Sequence, residues 1–105
     1  MLIVTTETIH GKNIVEVLGY VASGTVRSKN FGKDIGAGLK SLAGGELNAY
    51  TEMQNESRQI AVGRLVEQAK DMGANAIIGL RLMSSTVMSG ASEMVAYGTA
   101  VIIEE

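Results

Sequence analysis

Apolar and polar positions alternate along this chain in short β-type runs on either side of one long helical run. Over residues 46–72, Tyr50, Met53, Ser57, Ile60, Ala61, Leu65, Ala69 and Met72 recur at three- and four-residue spacing. That spacing draws a largely apolar stripe down one side of a helix. Glu52, Glu56, Gln59, Glu67 and Lys70 populate the other side. Gly73 suits the left-handed position beyond a last helical turn, so the helix is expected to stop there. Upstream, residues 2–6 read as a short strand and residues 9–13 as a turn, because His-Gly-Lys-Asn tolerates positive φ. Residues 14–27 are rich in Val, Ile and Tyr and predict a long strand, with Gly19 and Gly24 marking a bulge, a bend or a close backbone approach. The glycine-rich stretch 30–45 is expected to hold one short helix, with Asp34 as N-cap, Ile35, Leu39 and Leu42 on one face, and Gly44 as stop. Downstream come a strand at 76–83, a hairpin loop at 84–92 and a final strand at 93–103.

The order is therefore β-β-α-α-β-β. It predicts an α+β, two-layer subunit: a small, mostly antiparallel sheet with the long helix across one face. An antiparallel strand with one face in water alternates apolar with polar residues. The long strand and the last strand both break that rule. Met94, Ala96, Gly98, Ala100 and Ile102 lie on one side of the last strand, and Val95, Tyr97, Thr99, Val101 and Ile103 on the other. One helix covers one face only. The second face calls for a partner, and another copy of the same chain is the simplest one.

Composition strengthens this reading. The chain has 105 residues, the size of one domain, so 1–105 is taken as a single unit. Hydrophobic residues make up 46% and charged residues 19%, against roughly 25% charged in an ordinary soluble domain. A small core cannot hide that much apolar surface. Net charge is -2, and Arg27, Lys29 and Lys33 are isolated singles, which speaks against nucleic acid and anionic membranes as partners. Cysteine is absent, which excludes disulfides, thiolate zinc sites and cysteine nucleophiles and fits a reducing cytoplasm. The first residues lack a basic, then apolar, leader pattern, and no apolar run approaches the ~20 residues of a membrane span.

Several segments together carry a family resemblance: TTE after the opening strand, SGTV closing the long strand, GGELNAYTEM entering the helix, SRQIA within it, QAKDMGANAIIGLRL at its end and AYGTAVII in the last strand. With Tyr50, Arg58 and the Gly73-Ala74-Asn75-Ala76 junction in place, the chain resembles the YbjQ-like family of small bacterial and archaeal proteins, which bears the label "putative heavy-metal-binding domain". The resemblance implies a subunit akin to that of dodecin, assembled as a ring-shaped homopentamer. It implies no assigned biochemical role.

Candidate chemistry is sparse. His10 is the one histidine, three residues after Glu7; a ring would bring several copies to an axis, but a solvated turn histidine is the simpler account. Met83, Met88 and Met94 flank the last hairpin and offer thioethers, yet methionine more often fills gaps. Gly36-x-Gly38-x-x-Ser41 is shaped like a phosphate loop but lacks the parallel βαβ setting. Glu52 and Glu56 share a helix face, which is more simply a solvated one. Arg58 and Arg81 are the most informative charges. Arg81 stands in an apolar strand, where an unpaired guanidinium is costly, Arg58 adjoins the apolar stripe, and Glu16, Glu46 and Glu93 are available partners for the two. Glu46, Tyr50, Arg58 and Arg81 are therefore the candidates for an interfacial ligand site, and His10 for a metal. No nucleophile elbow or catalytic pairing is present, so the pattern leans against an enzyme, the alternative being an active site or plain scaffold shared between subunits. A bound metal ion is possible on the family label, but its identity is not readable.

Overall fold

The computed structural model describes residues 1–28, 45–88 and 91–105. In chain order these form β1 (Leu2–Ile3), β2 (Ile14–Ser28), α1 (Gly45–Asp71), β3 (Ala76–Met88) and β4 (Ala91–Ile103). The expected short helix around Asp34 and the Gly36–Ser41 turn lie outside the described residues.

Helix α1 agrees with its expected bounds to within a residue at each end. Its buried line is narrower than the predicted stripe: Ser57, Ala61, Leu65 and Ala69, one every four residues, are sealed against the sheet. Small residues at three of these four positions let the helix lie close to the strands. The Ser57 hydroxyl donates to the Met53 carbonyl at 2.8 Å, so its burial leaves no unmet hydrogen bond. Ile60 and Met72, included in the stripe by spacing, sit on its flanks and are 36% and 39% exposed. The helix ends as its glycine predicts. Gly73 adopts φ 89°, the Ala74 N–H donates to the Ala69 carbonyl at 3.0 Å, and the Gly73 N–H donates to Lys70 at 2.9 Å. This pair of bonds is the Schellman closure.

The strands form one mixed sheet in the order β1-β3-β4-β2. β1 runs parallel to β3, while β3–β4 and β4–β2 are antiparallel. One sequence expectation is corrected here. The 84–92 segment is not a long loop: Ser84, Ser85, Thr86 and Met88 pair with Met94, Glu93, Ser92 and Ala91, so both strands run on until only positions 89 and 90 separate them. Serine and threonine read as loop residues, but threonine and valine are also good strand formers, and the neighbouring ladder decides. β2 carries the irregularity expected at Gly19: register shifts fall between Ile14 and Glu16 and between Val17 and Gly19, with Gly19 at φ 133°, whereas Gly24 pairs regularly with Val95.

After the second shift, Val21, Ser23 and Thr25 face α1. The Ser23 hydroxyl donates to the Ala61 carbonyl across the layer. The main core joins Val21, Ala61, Leu65, Ala69, Ile77, Met94, Ala96 and Ala100. A second, smaller cluster gathers Ala76, Val101 and Ile103 under Ile9, Ile14 and Ile78. The rest of the sheet face away from α1 has no cover from the described residues. The molecule measures 54 × 22 × 16 Å, with a radius of gyration of 17.3 Å, against about 13 Å for a compact chain of this length. Strands of 13 and 15 residues at about 3.3 Å per residue set the long dimension.

Candidate functional site

A recess lined by charged and aromatic side chains lies on the sheet face away from α1, beside a bulge in β3. Ile78 pairs with Thr99 and Arg81 with Tyr97, so Gly79 and Leu80 together stand opposite the single residue Gly98. Gly79 adopts φ 64°, the left-handed conformation that such a bulge requires of its first residue. The extra residue shifts the side-chain alternation by one. Leu80 therefore packs against the main core, and Arg81 emerges on the open face beside Tyr97. Without the bulge their places would be exchanged.

The chain's first residues dock on the bulge. The Gly79 N–H donates to Thr6 at 2.8 Å and the Leu80 N–H to Val4 at 3.1 Å. Arg81 Nη1 donates to the carbonyls of Thr5 and Leu80, both at 2.8 Å. Among the described residues no carboxylate pairs with this guanidinium. The expectation of a costly buried arginine needing a glutamate is thereby corrected: Arg81 is exposed, and backbone carbonyls orient it. Around it opens a recess of about 530 Å³ whose lining includes Glu7, Tyr20, Gly79, Arg81, Tyr97 and Thr99. Tyr20 pairs with Thr99 and Ala22 with Tyr97, so the two tyrosines are diagonal neighbours across β2 and β4.

The other candidates do not join Arg81. Arg58 lies on α1, on the far side of the sheet, half-buried and donating from Nη2 to the Asn55 side chain. Glu46 and Tyr50 occupy the first two turns of α1, and their side chains lie outside the described part. Glu52 and Glu56 are exposed on the helix. His10 is exposed in a turn closed by the Lys12 N–H donating to Ile9 at 3.1 Å, with Gly11 at φ 81°. Met83 and Met94 fall on opposite faces, 55% and 5% exposed, and the Met88 side chain lies outside the described part. The sequence reading missed Glu7, Tyr20 and Tyr97. A glycine two positions before an arginine inside an apolar strand was the available signal.

A heavy-metal site finds little support in the donor chemistry. Soft metals favour thiolates and clustered imidazoles. This chain has no cysteine and one histidine, and among the described residues no three His, Cys, Asp or Glu side chains gather. Nor, among the described residues, is any helix long and apolar enough to cross a membrane.

Fold and surface together define a small two-layer α+β protein, one mixed sheet with a long helix packed on one face. The family model for YbjQ-like proteins, described as "Putative heavy-metal-binding", matches residues 1–104, and the chain belongs to this family. A UPF0145 protein of Clostridium perfringens (strain ATCC 13124) is 63% identical over 105 residues, spanning all of this chain and 99% of that one. A UPF0145 protein of Thermosipho africanus is 55% identical, spanning all of this chain and 97% of that one. A crystal structure of a protein of unknown function from Pediococcus pentosaceus, of the DUF74 family, superposes with a TM-score of 0.63 at 21% identity, over 99% of this chain and 98% of that one. That likeness concerns the fold.

Proposed function

We propose that this protein is a self-assembling, non-enzymatic binding protein whose copies close into a ring, a homopentamer, and hold a small ligand where subunits meet. The open sheet face carries this reading. Val17, Tyr20, Met83 and Tyr97 lie on it and are 63%, 82%, 55% and 41% exposed. Large side chains exposed in this number on one sheet face of a small protein, with Arg81 and Glu7 among them, mark an interface. A closed ring covers it without leaving an unmatched patch at either end. The long, thin shape supports the same reading, because a subunit drawn out to 54 Å buries little of itself.

The family description adds a metal ion to the possible ligands. His10 is the residue a ring would multiply, since symmetry brings one imidazole from every copy to related positions. Native mass spectrometry of untagged protein tests the assembly, with a multiple of 11.0 kDa expected. Metal analysis of the wild type beside His10→Ala tests the metal: equal content in the two would clear His10 of the role.

A further inference from the structure

We propose that the recess around Arg81 binds a small monocarboxylate carrying a flat apolar body. The inference deepens the small-ligand part of the preceding proposal and rests on it only in placing the ligand beneath a neighbouring copy. A guanidinium has five N–H donors in one plane. Both protons of Arg81 Nη1 are directed at backbone carbonyls, those of Thr5 and Leu80. The remaining side-on edge, Nε with Nη2, has no acceptor among the described residues. That edge matches the two oxygens of a carboxylate, and two parallel charge-assisted bonds form there at little ordering cost because the carbonyls already fix the group.

The walls select the rest of the ligand. Tyr97 stands directly across from Arg81, and Tyr20 lies diagonally beyond it, so an apolar body attached to the carboxylate meets aromatic rings. A volume of about 530 Å³ leaves room for a ring-sized body beside the guanidinium. Glu7 lines the same recess. Its negative charge tolerates one anion already matched to Arg81 and opposes a second, which ranks a monocarboxylate above a phosphate dianion. The bulge gives the site its deliberate character, since the same inserted residue delivers Arg81 to the open face and docks residues 4–6 that orient it.

The test is an amide NMR titration of the full-length protein with benzoate, benzamide and phenyl phosphate. Benzoate is expected to shift the Gly79, Arg81 and Gly98 amides with millimolar affinity, ahead of both analogues. Arg81→Gln should weaken benzoate binding by about tenfold or more, the loss of a charge-assisted pair. Glu7→Gln should improve phenyl phosphate more than benzoate. Equal binding of benzamide and benzoate, no effect of Arg81→Gln, or shifts confined to other surfaces would overturn the proposal. Native mass measured on the same samples separates the two readings. A monomer that still binds benzoate through Arg81 refutes the ring and keeps the site, whereas an intact assembly indifferent to benzoate refutes the site alone.

Discussion

Gly98 shows how little freedom single positions have in this sheet. A Cβ there would meet Ile77 Cγ2 at 2.9 Å and the Ile78 carbonyl at 3.0 Å. Ile77 is fully buried and the carbonyl is backbone, so neither yields cheaply. Gly98→Ala should cost about 1–3 kcal/mol, read from the midpoint of urea unfolding. Asn75 is a second such position. Its side chain accepts from the Ile103 N–H at 2.7 Å and donates to the Ile103 carbonyl at 2.9 Å, extending the ladder past the end of β3. Asn75→Ala strands both partly buried groups and should cost about 1–3 kcal/mol by the same measurement. At this scale the sequence was partly legible. Arg81 stood out as a charge in an apolar strand, but its environment depended on a bulge, and one inserted residue reverses which side chain faces the core.

Among the elements, α1 was the most readable, because a 27-residue helix repeats its pattern many times and ends on a glycine. The β3–β4 hairpin was the least readable, since serine, threonine and glycine serve loops and strand ends alike. The helix gives a graded expectation. Leu65→Ala, on the buried line, should cost about 2–5 kcal/mol, while Ile60→Ala on its flank should cost much less. Unfolding curves for the two variants distinguish the observed four-residue line from the broader predicted stripe. Helix α1 also guards the sheet's edge strand, β2. The Gln68 amide donates to the Ala22 carbonyl at 2.8 Å and accepts from the Ala22 N–H at 3.3 Å, and Arg64 donates to the Gly24 carbonyl at 2.8 Å. These bonds occupy backbone groups that an edge strand otherwise offers to another chain. The double variant Gln68→Ala, Arg64→Ala should keep the helical circular dichroism of the wild type and aggregate faster, as followed by light scattering.

For the whole molecule, the two-layer architecture was legible because both long strands were apolar on both sides and only one long helix was available to cover them. The structure places that helix on one side and leaves Tyr20, Met83 and Tyr97 on the other. What the pattern could not supply was the partner, since an apolar face specifies that something covers it without specifying the symmetry. If copies of the chain do so, replacing apolar groups of the face by polar ones should weaken the assembly. Val17→Ser together with Met83→Ser should therefore lower the assembly mass while circular dichroism remains that of a folded subunit.

The claim on which the account turns is that this subunit, greasy on the side its own helix does not reach, does not persist alone in water. Light scattering behind size-exclusion chromatography, on untagged full-length protein at micromolar concentration, measures this most directly. The account predicts one species at about five times the 11.0 kDa subunit mass. A folded, monodisperse particle of 11.0 kDa would contradict it.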